Sequence, residues 1–309
     1  MYHTNNKTER EIKMKKSMLK FLVMTVVSVS VLFSGCSGKT DTIVIGAADF
    51  TEQFILGNML QILIDENTDM KTQLVSNMST TVLFSAIQSS NVHVYVEYTG
   101  TLFGDFLGYS PMDTPDRVFT RARDGMRDRF NIRVLDRIGF NNTYALAVRP
   151  DTEERYNLRT FSDLVRVAPE LTLGGTMEFL DRDVGLKGLQ PFYGMNFGNT
   201  IATQGTLRYT ALNDNQIQVT SAFSTDGLLA RYNLVLLEDD RNFFPAYDAV
   251  VVIREDTATK FPQLVEVLNK LTGSLDETAM SYLNYRVDVL NEDPEAVARD
   301  FLKSAGLIQ

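Results

Sequence analysis

Cysteine, histidine and tryptophan are scarce or missing in this chain of 309 residues, and each shortage excludes a class of site. Cys36 is the single cysteine, which excludes disulfide bonds within the chain and thiolate metal clusters. Only His3 and His93 supply imidazoles, so zinc sites and Ser-His-Asp catalysis have almost no candidates. The chain also lacks a Gly-x-Gly-x-x-Gly motif, a phosphate-binding loop and a Gly-x-Ser-x-Gly turn. We therefore expect no enzyme, no catalytic residue, no metal and no cofactor.

An excess of basic residues is also missing. The 30 Lys and Arg are outnumbered by 39 Asp and Glu, which gives a formal net charge of −9. Because the first 35 residues carry six basic and two acidic side chains, the remainder of the chain carries −13. Such a chain repels phosphate backbones, so nucleic acid is not an expected partner. The hydrophobic fraction of 44% and charged fraction of 22% are typical of a soluble globular protein, and the length suggests about two domains.

Residues 1–35 have the pattern of a signal peptide. Lysines precede an uncharged, mostly apolar run, Phe21–Phe33, that is too short to span a bilayer. The run leads into Leu32-Phe33-Ser34-Gly35-Cys36, which resembles the lipobox cleaved by bacterial lipoprotein signal peptidase. The resemblance implies that Cys36 becomes the lipidated N-terminus and that 36–40 form a tether to the membrane. The alternative is an ordinary secretory signal with an incidental cysteine.

Short apolar runs alternate with amphipathic stretches from Thr42 onward. Ile43–Ile45 predicts a strand and the segment 52–65 predicts a helix, and the same alternation returns after Asn142. Strands and helices at this spacing are typical of parallel α/β units, so the sequence predicts two α/β lobes. The segment Gly139–Asn142 is expected to be a turn.

No linker rich in Gly, Pro or Ser separates the two lobes, so the chain is expected to cross between them as strands. The crossings are predicted near Tyr144 and Tyr247. Lobe 1 then comprises 41–141 plus 247–309, and lobe 2 comprises 142–246. Two α/β lobes joined in this way place a cleft at the carboxyl ends of their strands.

Four aromatic residues lie where apolar strands give way to turns: Tyr98, Tyr144, Phe223 and Tyr247. A single aromatic at such a place is usually part of the core, but four at equivalent places suggest a shared site. Phe223 is followed by Ser224-Thr225-Asp226-Gly227, in which a Ser, Thr or Asp is expected to cap the next helix.

These residues lie in motifs whose order and spacing resemble one family across 42–307, essentially the whole mature chain. The family comprises the substrate-binding lipoproteins of ABC importers for glycine betaine, carnitine and choline, in the osmoprotectant branch typical of Gram-positive bacteria. The motifs are Phe50-Thr51-Glu52-Gln53, Glu97-Tyr98-Thr99-Gly100-Thr101, Asn142-Thr143-Tyr144-Ala145, Phe223-Ser224-Thr225-Asp226-Gly227 and Phe243-Phe244-Pro245-Ala246-Tyr247-Asp248.

The resemblance implies a two-lobed α/β fold like that of type II periplasmic binding proteins, with a ligand cleft between the lobes. It also implies a cage of four tyrosines, from both lobes, around a trimethylammonium group. Tyr98, Tyr144 and Tyr247 stand at three of these places, and Phe223 replaces the fourth tyrosine. Phenylalanine keeps the π face that attracts a cation but loses the hydroxyl. The replacement therefore bears on which ligand is bound more than on its class.

The resemblance adds Gln53 and Thr101 as polar ligand contacts. Gln53 is expected in the first turn of a helix that Asp49 and Glu52 cap as a capping box, where backbone amides favour an anionic group. The alternative for Gln53 is an ordinary solvated residue. The neutral hydroxyl of Thr101 is compatible with zwitterionic ligands, whereas a carboxylate there would favour a bare cation such as choline.

The function implied is that of an extracytoplasmic lipoprotein, anchored to the cell membrane, which delivers a quaternary ammonium osmoprotectant to the permease subunits of an ABC importer. One alternative is a binding protein for another trimethylammonium solute, such as ergothioneine. Less favoured alternatives are an enzyme on the same scaffold and a lipoprotein with no role in transport.

Overall fold

The computed structural model describes residues 42–109, 113–203 and 205–309. These residues form two five-stranded sheets with helices packed against them. The predicted signal peptide, lipidated Cys36 and tether lie outside the described residues.

The strands are named in chain order. They are β1 (Thr42–Ala48), β2 (Lys71–Met78), β3 (Val94–Tyr98), β4 (Ile132–Asn141), β5 (Tyr144–Val148), β6 (Thr172–Gly175), β7 (Asn199–Ala202), β8 (Val219–Phe223), β9 (Val235–Leu237) and β10 (Asp248–Arg254). The first sheet has the order β2-β1-β3-β10-β4 and the second has the order β7-β6-β8-β5-β9.

The helices lie between these strands and after the last of them. They are α1 (Thr51–Asn67), α2 (Thr80–Gln88), α3 (Pro115–Phe130), α4 (Pro150–Tyr156), α5 (Phe161–Val165), α6 (Met177–Asp181), α7 (Leu186–Tyr193), α8 (Leu207–Asn213), α9 (Gly227–Arg231), α10 (Glu255–Lys260), α11 (Pro262–Leu268), α12 (Glu277–Asp288) and α13 (Pro294–Ser304). A helical turn, Thr99–Thr101, continues into a π-helical turn, Leu102–Phe106, directly after β3.

Local sequence signals explain where several helices begin and end. The Ser79 hydroxyl accepts a hydrogen bond from the Val82 N–H at the start of α2, as an N-cap does. Helix α3 begins with Pro115 in its first turn and ends at Asn131, whose φ of 56° lies in the left-handed region. These caps fix the loops at the helix ends.

The two sheets have separate hydrophobic cores. On one face of the first sheet, Val94 and Val96 pack with α1 and the C-terminal helices, and Tyr95 points to the opposite face. This alternation is expected for a central strand that is covered on both faces. In the second sheet, Leu146 and Val219 lie in one core cluster.

The prediction of parallel α/β units was wrong for the strands next to the crossings. Strand β10 runs antiparallel to both β3 and β4, and β5 runs antiparallel to both β8 and β9, whereas β1 and β6 have parallel neighbours. A strand that arrives from the other sheet begins at the side of its new sheet that faces the other one. The neighbouring strands β3 and β8 end at that side, so the arriving strands β10 and β5 run antiparallel to them. Periodicity within a strand carries no information on this direction.

The turn expected at Gly139–Asn142 was also wrong in part, because Gly139, Phe140 and Asn141 belong to β4. The chain leaves the first sheet after Asn141, enters the second at Tyr144, and returns at Asp248. The structure thus shows which strands belong to each sheet. The division into lobes at 41–141 plus 247–309 and 142–246 remains a prediction.

No helix among the described residues is long and apolar enough to cross a membrane. Within the same residues, no group of three or more His, Cys, Asp and Glu is arranged to hold a metal ion.

Candidate ligand-binding site

A cavity of about 700 Å³ lies at the edge where residues of the two sheets meet. All six residues predicted at the ligand site line it: Gln53, Tyr98, Thr101, Tyr144, Phe223 and Tyr247. The volume is ample for a solute with a trimethylammonium group, because small-molecule pockets commonly span roughly 300–1,000 Å³. That these residues contact a ligand remains a prediction.

The antiparallel crossings explain why two strand starts and two strand ends share this edge. Tyr144, at the start of β5, pairs with Phe223 at the end of β8. Ala249 of β10 pairs with Tyr98 at the end of β3, which brings Tyr247, the residue just before β10, to the same edge. We call Tyr98, Tyr144, Phe223 and Tyr247 the aromatic cage.

Within the aromatic cage, the Tyr144 ring contacts the rings of Phe223 and Tyr247. The centroids of Tyr144 and Phe223 are 4.6 Å apart at an interplanar angle of 32°, and Tyr247 meets Tyr144 edge-on at 6.5 Å. Tyr98 instead stacks with Phe50 at 6.4 Å. The cavity therefore has aromatic walls from elements of both sheets, and their faces carry the negative side of the ring quadrupole.

Gly100 is required for the position of Tyr247. A Cβ at residue 100 would lie 2.7 Å from both Cδ1 and Cε1 of the Tyr247 ring and 2.9 Å from the Ala246 carbonyl oxygen. The Thr99 hydroxyl secures the same contact, because it donates to the Ala246 carbonyl at 2.9 Å and accepts from the Asp248 N–H at 3.0 Å. The Tyr98-Thr99-Gly100-Thr101 motif thus forms a seat for the Tyr247 ring.

The phenols of the aromatic cage are protonated at physiological pH. Burial raises the pKa of Tyr98 well above its usual range, and the charge of Glu52 raises it further. Burial likewise raises the pKa values of Tyr144 and Tyr247. The cage therefore offers neutral rings and not phenolates.

The expected capping box of α1 was wrong. The N-cap position belongs to Phe50 with no side-chain hydrogen bond, and Glu52 turns inward to a site where it is 3% exposed. Glu52 Oε1 accepts hydrogen bonds from the Tyr98 hydroxyl at 2.6 Å and Asn142 Nδ2 at 2.9 Å, and Oε2 accepts from Asn284 Nδ2 at 3.0 Å. These buried donors compete successfully with the helix end for the carboxylate.

Gln53 lies at the cavity wall and not in solvent. Its side chain is 2% exposed, and its Nε2 donates to the Tyr98 hydroxyl oxygen at 3.3 Å. Thr101 is 9% exposed and lies one turn after Tyr98. The solvated alternative for Gln53 is therefore excluded by its burial.

The cap expected from Ser224, Thr225 or Asp226 was wrong as a side-chain contact. Asp226 occupies the N-cap position of α9, but its Oδ2 accepts from the Phe223 N–H at 2.9 Å and from Arg208 Nη2 at 3.0 Å, and from the Tyr209 hydroxyl. Asp226 thus holds the backbone of an aromatic cage residue.

Sequence reasoning missed Arg182, which lines the cavity just after α6. Its Nη1 lies 2.7 Å from Glu178 Oε1, and its Nη2 lies 3.5 Å from Asp105 Oδ2 in the π-helical turn after β3. This arginine therefore links elements of the two sheets at the cavity. In the sequence, Arg182 looks like any charged surface residue, so nothing there indicates that it lines the cavity.

Glu97 was also missed. It lines the cavity at 4% exposure and accepts from the Tyr98 N–H at 2.9 Å. Burial, with a further contribution from the nearby charge of Asp105, raises the pKa of Glu97 to about 8. The Glu97 carboxyl is therefore protonated at neutral pH.

Comparisons with known proteins agree with this geometry. Residues 41–304 match the family described as the substrate-binding domain of ABC-type glycine betaine transport systems. The chain is 36% identical over 299 residues to the carnitine transport binding protein OpuCC of Listeria monocytogenes, which covers 94% of this chain and 97% of that protein. It is 31% identical over 291 residues to the glycine-betaine-binding protein of Pseudomonas aeruginosa, which covers 90% of this chain and 92% of that one.

The chain is also similar to part of the ergothioneine transport permease/ergothioneine binding protein EgtU of Helicobacter pylori. The identity is 29% over 308 residues, which covers 99% of this chain but 55% of that protein.

Solved structures confirm the predicted fold class. The crystal structure of a glycine betaine/carnitine/choline ABC transporter matches with a TM-score of 0.81 and 33% identity, covering 86% of this chain and 100% of that one. Apo YehZ from Escherichia coli matches with a TM-score of 0.73 and 26% identity, covering 86% and 99%.

Proposed function

The chain belongs to the family of substrate-binding domains of ABC-type glycine betaine transport systems, and from that membership we propose that its aromatic cage binds the trimethylammonium group of glycine betaine, carnitine or choline. As a member of the family, the protein is the extracytoplasmic substrate-binding protein of an ABC importer. The family is a class of transport proteins and not of enzymes, and we propose that the bound solute is released unchanged to the permease subunits.

The observation that carries the proposal is one cavity with aromatic walls from both sheets. A quaternary ammonium has no N–H to donate and spreads its charge over methyl groups, so aromatic faces suit it better than a single carboxylate. Each desolvated cation–π contact contributes ~1–2 kcal/mol, so four contribute several of the ~8 kcal/mol of a micromolar complex. Burial and polar contacts supply the rest.

The polar part of a zwitterionic solute requires a cation or neutral donors. We assign this role to Arg182, with Gln53 and Thr101 as neutral contacts. The guanidinium of Arg182 contacts Asp105 and Glu178 in this structure, and a ligand carboxylate would compete with those two acids for its donors. This arrangement favours glycine betaine and carnitine over choline.

Closure of the two lobes follows from the same arrangement. Because the aromatic cage takes residues from both sheets, it is complete only when they are together, so the ligand stabilises the closed state by its higher affinity for it.

Titration calorimetry with glycine betaine, carnitine and choline tests the proposal. Tyr98→Ala and Tyr247→Ala are expected to weaken binding at least about tenfold without unfolding the protein. Tyr282→Ala, which removes an exposed tyrosine outside the cavity wall, serves as the matched control and should bind like the unaltered protein. Unchanged affinity in both cage variants would refute the cage.

Ergothioneine is a second candidate ligand. It is a trimethylammonium betaine with a flat ring, and the relative from Helicobacter pylori carries its name. The adjacent rings of Tyr144 and Phe223 offer a wall for such a ring. A thermal-shift series with ergothioneine, glycine betaine, carnitine, proline betaine and choline decides between the candidates, since the ligand with the highest affinity gives the largest shift at equal concentration.

We also propose that Cys36 carries the lipid that holds the protein at the outer face of the cell membrane, in a Gram-positive bacterium. The sequence motif before Cys36 supports this proposal. Mass spectrometry of the mature N-terminus should find a diacylglyceryl cysteine, and Cys36→Ala should release the protein from the membrane fraction. An unmodified N-terminus elsewhere in the chain would contradict it.

A further inference from the structure

Glu52 occupies a place in the cavity that its role as an ordinary helix residue does not explain. It lines the cavity, is 3% exposed and receives hydrogen bonds from Tyr98, Asn142 and Asn284. These three donors are neutral. A buried carboxyl that is held by neutral donors keeps its negative potential for another cation.

Glu52 is the acceptor in all three of these hydrogen bonds, which is the arrangement that a carboxylate requires. Gln53 Nε2 donates to the Tyr98 hydroxyl oxygen, so the phenol proton is directed to Glu52 Oε1. The distance of 2.6 Å lies in the range of O–H···O⁻ bonds that involve an ionised acceptor. Burial raises the pKa of Glu52 above its usual value, and its hydrogen bonds, which include one with Thr225, oppose part of that rise.

The contacts of Glu52 reach two walls of the aromatic cage. It bonds directly to the hydroxyl of Tyr98, and its partner Asn142 donates its backbone N–H to the Tyr247 carbonyl at 3.0 Å. Its partner Asn284, in α12, also donates to the Thr225 carbonyl at 2.9 Å, beside the end of β8. Through Asn142 and Asn284, the hydrogen bonds of Glu52 thus extend to segments that follow strands of both sheets.

We propose that Glu52 is the buried counter-charge of the cavity and the positioning residue of Tyr98, so that it selects a quaternary ammonium over an uncharged group of the same shape. A phenol that donates to a carboxylate has a more electron-rich ring, which strengthens its attraction for a cation. The carboxylate adds its own attraction at short range in a site that excludes water. The inference rests on the proposed function, since it concerns the charge of the same ligand.

Glycine betaine and 3,3-dimethylbutanoate provide the probe pair. Both carry the same carboxylate and the same three methyl groups, and they differ in whether the central atom is a positively charged nitrogen or a neutral carbon. We define the charge preference as the ratio of their affinities in titration calorimetry at one pH. A residue with a purely structural role would change both affinities together and leave this ratio unaltered.

Glu52→Gln is expected to lower the charge preference about tenfold, by weakening glycine betaine and leaving 3,3-dimethylbutanoate equal or stronger. Tyr98→Phe, which keeps the ring and removes the hydroxyl, should lower the preference in the same direction by a smaller factor. The two changes together should lower it less than the product of the separate effects, because both break the same hydrogen bond. Tyr98→Phe also keeps the test decisive if Glu52→Gln does not fold.

Glu277→Gln is the matched control. Glu277 accepts from the Asn141 N–H at 3.0 Å, next to Asn142, but does not line the cavity. Its removal should leave the charge preference unchanged. An unchanged preference in Glu52→Gln, or in Tyr98→Phe where only that variant folds, would overturn the inference while leaving the proposed function intact. Failure of the unaltered protein to bind glycine betaine and carnitine would contradict the proposed function and the inference together.

Discussion

Glu97 makes the stability of the folded protein depend on pH in a direction that can be worked out from the structure. Burial raises its pKa from the usual 4.5 to about 8, so the folded chain binds this proton more tightly than the unfolded chain does. Stability from this group is therefore full below about pH 4.5 and is lost as the pH rises to about 8. Ionisation of Glu97 in the folded protein lowers the free energy of unfolding by about 5 kcal/mol, because each pH unit between the two pKa values contributes ~1.4 kcal/mol.

Glu97→Gln removes this ionisation and keeps the shape of the side chain. Between pH 5 and pH 9, the variant should gain about 4 kcal/mol of unfolding free energy relative to the unaltered protein. At about 2 °C or more per kcal/mol for a chain of this size, the difference in melting temperature should widen by about 8 °C. Differential scanning calorimetry over this pH range measures it directly.

Glu154→Gln controls for the loss of one negative charge, since Glu154 is exposed in α4. The comparison of two glutamate variants cancels the titration of all other groups in the chain. Parallel melting curves for Glu97→Gln and the unaltered protein from pH 5 to pH 9 would refute the assignment of a protonated carboxyl at the cavity.

Three further predictions concern the cavity. Phe223→Tyr restores a cage hydroxyl and should change calorimetric affinity by ~1.5 kcal/mol or less, whereas complete loss of binding would mean that Phe223 packs differently. Gly100→Ala should lower both the melting temperature and the affinity for glycine betaine, because the added Cβ lies 2.7 Å from the Tyr247 ring; unchanged values would contradict this packing. Arg182→Met should weaken carnitine about tenfold and leave choline within about twofold. An equal loss of affinity for carnitine and choline would mean that Arg182 only holds the two lobes together and does not contact the solute carboxylate.

The positions of the four cage aromatics were predictable because each marks a boundary between a strand and a turn. Strand alternation locates those boundaries to within a residue or two, and Tyr144 begins β5 where the sequence places a strand start. The sequence could not reveal that β5 and β10 run antiparallel to their neighbours, because strand direction depends on the path of the chain between sheets.

The polar residues of the site were harder to predict. Glu52 has the spacing of a capping box with Asp49, and that local signal competes with buried partners far along the chain, such as Asn284. Arg182 and Glu97 are ordinary charged residues in sequence, and only the packing of distant elements gives them their burial and their neighbours. Local patterns therefore identify the aromatic cage, while the charges around it emerge only from the fold.

A crystal structure of the protein with carnitine or glycine betaine would show directly whether the aromatic cage holds the solute. We expect the quaternary nitrogen within about 6 Å of the ring centroids of Tyr98, Tyr144, Phe223 and Tyr247, with the solute carboxylate towards Arg182. A quaternary nitrogen outside these rings, or a solute bound elsewhere on the protein, would contradict this expectation.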